Sequence, residues 1–185
     1  MFNERKAAQV AAWFLRQESG RMPHLKLIKL MYLADRQALD ESGFPITGDQ
    51  AVAMPHGPVL TMTLDLINGD LEPGQDGWGT WISDCANYEV MLRERVSGSE
   101  QLDELSAADL DILETVWQRF GGMDKWQIRD YTHDHCPEWD DPQGSSYPIP
   151  YERIFEALGR SKDEAARLAE RIDQQRSIDR IFASL

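Results

Sequence analysis

Apolar residues recur at helical spacing from the start of the chain. Ala8, Val10, Ala11, Phe14 and Leu15 share one face of a stretch that predicts a helix over Glu4 to Glu18, stopped by Gly20. LKLIKLMYLADRQALDE predicts a second helix, Leu25 to Glu41, just behind Pro23 and ended by Gly43. There Leu27, Ile28, Leu30, Met31, Leu33 and Ala34 cover more than half of the surface, so this helix is expected to be central and mostly buried. The next stretch, FPITGDQAVAMPHGPV, is too rich in Pro and Gly for a long helix. It reads as a turn, an extended piece over Ala51 to Met54 and a tight loop at His56-Gly57. Pro58, whose missing N–H costs nothing in a first helical turn, is expected to open a third helix over Val59 to Ile67, ended by Asn68-Gly69.

Polar, Gly-rich residues 70–79 read as a surface loop. Trp78 to Ser83 and Tyr88 to Val96 then predict two strands around the turn Asp84-Cys85-Ala86-Asn87, with Tyr88, Val90 and Leu92 sharing a face. Ser106 followed by Asp109 resembles a capping box and opens a helix to Phe120, with Leu110, Leu113, Val116, Trp117 and Phe120 along one side. Asp124 caps a shorter helix, Lys125 to Asp134. Four prolines make residues 136–150 loop, and Tyr151 starts a helix to Leu158. A second capping box, Ser161 with Glu164, starts a final helix. Its apolar stripe is thin: Ala165, Leu168, Ala169, Ile172, Ile178, Ile181 and Phe182. The pattern as a whole predicts a mainly α (α+β) fold, a compact helical domain with a short β-hairpin or small antiparallel sheet. Residues 1–159 are expected to form that domain, and residues 160–185 an amphipathic helix packed on it or on a partner.

Charge sharpens this picture. The net charge of the 185-residue chain is −13, distributed unevenly. Residues 1–36 hold seven Lys/Arg against three acids, whereas Gln37 to Leu92 hold nine acids and no Lys or Arg. An acid-only stretch repels phosphate, which argues against direct nucleic-acid binding, and it attracts a basic partner. The same acidity also serves solubility. The N-terminal segment lacks the uninterrupted apolar core of a signal peptide, and no run approaches the ~20 apolar residues of a membrane span, so a cytoplasmic protein is expected. Two cysteines, Cys85 and Cys136, form no C-x-x-C pair and do not suggest a disulfide scaffold.

Candidate chemistry is sparse. His133, His135 and Cys136, with Glu138, Asp140 and Asp141 close behind and His24 or His56 as further ligands, resemble a metal site by residue type alone. Their spacing matches neither i, i+4 helical ligation nor paired knuckles. Cys136 with His133, or Cys85 with His56, are conceivable nucleophile–base pairs without a local catalytic signature. Asp35, Asp40 and Glu41 read as solvated helix ends. No nucleophile elbow, P-loop or dinucleotide fingerprint occurs. Among aromatics, Tyr32 and Trp117 read as core, while Trp78, Trp81 and Trp139 stand in loop or edge contexts where contact residues concentrate.

Several segments together resemble a known family. LIKLMYLADRQAL (Leu27 to Leu39), GFPITGDQAVAMPHGPV (Gly43 to Val59), LSAADLDILETVWQRFGGMDKWQIRDYTH (Leu105 to His133) and the following Pro137 and Trp139 are similar to the Panacea domain of SocA-like antitoxins, over about residues 3–139. His56 stands where many members carry an aromatic residue or Lys, and the final helix lies outside the shared pattern. The resemblance implies a mainly helical bacterial domain that neutralises a cognate toxin by direct protein contact, with no cofactor and no catalytic residues. One branch works instead as an adaptor delivering its toxin to a ClpXP-type protease. The expected partner is a toxin with a basic face. Asp65, Asp70, Glu72, Asp76, Trp78, Trp81 and Trp139 are the candidate contacts, and self-association stays open. The reading from another class is a metal-dependent hydrolase built on His133, His135, Cys136 and Asp140.

Overall fold

Helices α1 (Glu4–Gln17) and α2 (His24–Ser42) form where the apolar periodicity places them. The Asn3 side chain caps α1 by accepting from the Lys6 N–H, and Gly43, at φ +79°, ends α2 in the left-handed conformation that glycine adopts without a Cβ clash. The computed structural model describes residues 1–85 and 87–183, without the side chains of Cys85, Ser99 and Ala183. Leu27, Leu30, Met31, Tyr32 and Ala34 of α2 are buried, and α1, α5 (Ala107–Phe120) and α6 (Lys125–His135) pack around this helix. Both capping boxes at α5 and α6 are formed, by Ser106/Asp109 and Asp124/Gln127.

The strands are short. Arg21–Pro23 (β1) joins Ile82–Cys85 (β4) and Glu89–Leu92 (β5) in an antiparallel sheet of order β1-β5-β4. Ala51–Met54 (β2) pairs with Gly57–Leu60 (β3) on one side and Tyr147–Pro148 (β6) on the other. The fold is therefore mainly α with small antiparallel sheets, as the sequence pattern predicts. Five local expectations are corrected. Pro58 lies in β3 opposite Ala53, not at a helix start, and the helix α3 begins only at Thr61 (Thr61–Asn68). β3 is an edge strand, where a missing N–H leaves no ladder bond unmade. Trp78 to Trp81 make one helical turn, α4 (Trp78–Trp81), ahead of β4 instead of its first half. β5 stops at Leu92, with one further bond from the Arg93 N–H to the Trp81 carbonyl (2.9 Å) before the chain leaves the sheet. The proline-rich stretch 136–150 is not all loop, since β2 draws Tyr147 and Pro148 into its sheet. Of the turn expected over residues 84–87, Asp84 and Cys85 instead end β4, paired with Val90 and Glu89, and Ala86 lies outside the described residues.

The C-terminal helices are α7 (Tyr151–Ala157) and α8 (Lys162–Ala183). Ala165, Ala169 and Ile172 of α8 are buried beside α7, whereas Ile178 and Phe182 further on are exposed. Arg176 ties α8 to the chain between α2 and β2, donating to the carbonyl of Gly48 (3.0 Å) and the hydroxyl of Tyr151 (2.7 Å).

Candidate functional site

The polar residues of α2 account for the middle of the chain. Asp35 is buried, not solvated: its carboxylate accepts from the N–H groups of Ile46 and Thr47 (both 3.0 Å) and from the Thr47 hydroxyl (2.5 Å). Asp49, two residues beyond Thr47, accepts from the N–H groups of Met62 and Thr63 (3.0 and 2.8 Å), which caps α3 from outside the helix. Lys29, fully buried, donates to the Pro58 carbonyl (2.6 Å) and so holds β3. Gly57 makes room for it, since a Cβ there would stand 2.8 Å from Lys29 Nζ and from Thr132 Oγ1. Tyr32 donates its hydroxyl to Glu138, and Arg36 donates Nε (2.6 Å) and Nη2 (3.2 Å) to the same carboxylate. One helix thus pins two loops and strand β3 through buried polar bonds.

Burial shifts these groups. Desolvation lowers Lys29 to about 7, and it raises Asp35 to about 7 against the hydrogen bonds from Thr47 and Ile46. A carboxyl raised in the fold above its ordinary 3.8 contributes stability that is complete below about pH 4 and lost as the pH rises through about 7. The lysine, depressed from 10.5, acts oppositely at higher pH, where stability is regained from about 7 toward 10.5. Asp35→Asn keeps an acceptor oxygen for the two N–H groups and removes the titration. Urea unfolding from pH 4 to 7 is expected to show wild type losing stability relative to this variant, by about 1.4 kcal/mol for each pH step of one across that interval. Parallel profiles would mean that Asp35 ionises in the fold as it does in water.

Beside this hub lies an open groove of about 460 Å³. Ile28 of α2, Met54 and Pro55 at the β2–β3 turn and Leu64 of α3 give it apolar walls. Two exposed aromatics overlook it: Trp126 at the start of α6, 48% exposed, and Tyr88 at the β4–β5 turn, 83% exposed. His24, His56 and Lys125 complete the rim, and among the described residues no carboxylate lines it. The parts are held in place. The backbone N–H of His24 donates to the Tyr88 carbonyl (2.9 Å), and its ring Nε2 lies 2.9 Å from the Glu89 carbonyl, which fixes the turn. Asn87 and Tyr88 both have positive φ (67° and 58°), a conformation costing roughly 1–2 kcal/mol per non-glycine residue, which presents the tyrosine to solvent. Lys125 and Arg129 stand over the Trp126 ring at 5.1 and 4.9 Å.

The residues singled out in the sequence fall in different places. Trp139 backs the groove: its Nε1 donates to the Met54 carbonyl (3.0 Å), and its ring stacks on His133 at 4.2 Å. Asp65 lies on α3 beside the groove residue Leu64, half-buried, and Asp70, Glu72 and Asp76 follow on the exposed loop. Trp81 is half-buried against the core, and Trp78 is buried within it, which removes its ring from any surface. Tyr88 and Trp126, the most exposed aromatics of the groove, are not singled out by the sequence pattern. The alternation that puts Tyr88 on a strand face does not anticipate the left-handed turn. Trp126 carries a usable signal, since it stands two residues from buried Ile128 on a helix and therefore points elsewhere.

The metal or nucleophile cluster does not assemble. His135 stacks on Tyr131 (4.3 Å), His133 on Trp139, and Asp140 is engaged by Arg153. Among the described residues no three His, Cys, Asp or Glu side chains gather as metal ligands. Cys136 is buried, and its thiol is pushed up to about 12, so it carries almost no nucleophilic thiolate at neutral pH. The Cys85 side chain lies outside the described residues.

The model for the family described as Antitoxin SocA-like, Panacea domain, matches residues 27–140. The chain belongs to this family. The matched segment runs from the second turn of α2 to just past Glu138, so it contains Lys29, Tyr32, Asp35, Arg36, Asp49 and Glu138. In this Panacea chain the matched segment thus contains the whole polar hub of α2, with α1, α7 and α8 packed outside the match. No curated protein and no solved structure matches the chain. Among the described residues no helix is long and apolar enough to cross a membrane.

Proposed function

We propose that this protein is an antitoxin that neutralises a cognate protein toxin by direct contact, seating an apolar segment of the toxin in the groove beneath Tyr88 and Trp126. The observation that carries this reading is a preformed apolar groove with two solvent-exposed aromatics, in a domain of an antitoxin family. The role is binding without catalysis. Occlusion by contact needs only a rigid surface, and the buried bonds of α2 supply rigidity to the elements that wall the groove. Co-expression with the product of the adjacent reading frame tests it: growth arrest by that product should be relieved, and the two proteins should purify together. Continued arrest with both proteins soluble would overturn the reading.

The acid-only stretch from Gln37 to Leu92 favours a toxin with a basic face, drawn in by the field of Asp65, Asp70, Glu72 and Asp76. Such fields act before contact and are screened within about 8–10 Å at physiological salt. Changing these four to Asn or Gln is expected to slow toxin association at low salt and to flatten its salt dependence, with dissociation little changed. Stopped-flow association at low and high salt measures it. Equal low-salt rates for wild type and variant would show that the acids serve solubility alone.

A further inference from the structure

Against the acidity of the molecule, one hollow is lined by arginines. It is open, about 790 Å³, and bounded by the end of α1, the Ser19-Gly20 turn, β1 and the strand and tail over residues 91–97. Arg16, Arg21, Arg93 and Arg95 line it against a single carboxylate, Glu94, and all four are exposed. Ser19 (φ 62°) and Gly20 (φ 92°) turn the chain so that Arg16 and Arg21, from consecutive elements, border the same space. Arg21 is engaged by Glu89, its Nε donating to the carboxylate at 2.6 Å. Among the described residues no ion pair or side-chain hydrogen bond engages Arg16, Arg93 or Arg95. Like charges gathered without partners repel one another, and in a chain of net charge −13 the carboxylates to pair them are abundant elsewhere.

We propose that this hollow is a second binding site, for a short carboxylate-bearing segment of a partner protein. Guanidinium groups present a planar fork that matches carboxylate oxygens two at a time, and in the hollow's wall Arg21 already holds a carboxylate, its Nε and Nη2 both meeting one oxygen of Glu89. The floor favours a peptide over a phosphate chain: Met91, 40% exposed, and Leu92 offer aliphatic surface between the arginines. Nucleic acid brings one charge per ~1.7 Å of duplex, and the acidic remainder of the molecule would repel all of it beyond the hollow. A segment with two or three acids among aliphatic residues meets the arginines and little else. The site stands on a different set of residues from the groove, so it is independent of which toxin, if any, the groove holds.

The test is fluorescence anisotropy with the full chain and a labelled peptide alternating glutamate and leucine. The triple variant Arg16→Gln, Arg93→Gln, Arg95→Gln, whose sites are all exposed, is expected to keep the wild-type melting temperature and to bind the peptide about tenfold or more weakly. The double variant Arg93→Glu, Arg95→Glu is expected to switch preference to a peptide alternating lysine and leucine. Absence of binding to wild type, equal binding to the triple variant, or preference of wild type for a single-stranded oligonucleotide over the acidic peptide would each overturn the proposal.

Discussion

Glu138→Ala is expected to lower the unfolding free energy by about 3–5 kcal/mol, a large part of the ~5–15 kcal/mol that holds a domain of this size. The carboxylate is fully buried and accepts from the Tyr32 hydroxyl and from two nitrogens of Arg36. Its removal leaves a mostly buried guanidinium and a buried phenol without partners, and such groups cost more than the hydrogen bonds they lose. The damage should spread, because the chain beside Glu138 carries Trp139, whose indole holds the Met54 carbonyl at the groove. Glu138→Gln keeps one acceptor oxygen and loses the charge, so it is expected to fall between wild type and Ala. Urea denaturation followed by circular dichroism gives the order directly. A midpoint for Glu138→Ala close to wild type would mean that Arg36 and Tyr32 find water or another partner in the fold, and that the carboxylate is not what closes the motif.

That carboxylate also marks what was legible in the sequence. Helix α2 was readable because its apolar residues exceed one face, and the stops at Gly43 and Gly69 were readable because glycine tolerates the left-handed turn that both adopt. What the pattern could not say is which charged residues of so apolar a helix turn inward. Asp35 reads as a solvated helix end until Ile46 and Thr47 fold back onto it, and Lys29 has its partner 29 residues further along the chain. Glu138 reads as one acid among several behind a histidine cluster, since its partners lie on a helix about a hundred residues earlier. Strands β1 and β6, of three and two residues, carry no period at all, and they exist only because β5 and β2 offer them ladder bonds. Pro58 satisfies the rule for a first helical turn and the rule for an edge strand equally, and only the pairing of β3 with β2 decides between them. The groove is illegible for the same reason. Its walls come from α2, the β2–β3 turn, α3, the β4–β5 turn and α6, so no local window contains it.

Trp126→Ala combined with Tyr88→Ala is expected to abolish neutralisation while leaving the fold intact. Exposed aromatics over an apolar groove are the side chains on which interfaces concentrate their energy, about 2 kcal/mol or more each when truncated, or roughly thirtyfold in affinity per residue. The cost to the folded protein is small. Trp126 sits on the outer side of α6, where alanine has the higher helix propensity, and its neighbours Lys125 and Arg129 lose only a surface cation–π contact. Tyr88 stacks edge-on to His24 at 6.4 Å, yet the turn itself is held by backbone bonds to His24 that alanine retains. The kinetic signature separates this variant from neutralisation of the four acids. Contacts made after docking set the dissociation rate, so toxin release should accelerate while association changes little, the reverse of the acidic variant. Surface plasmon resonance with immobilised toxin reads both rates, and growth rescue reads the outcome in cells. A double variant that melts as wild type and releases toxin at the wild-type rate would take the groove out of the interface. Toxin contact would then have to fall on another surface, and the exposed acids Asp70, Glu72 and Asp76 are where a basic face would meet it.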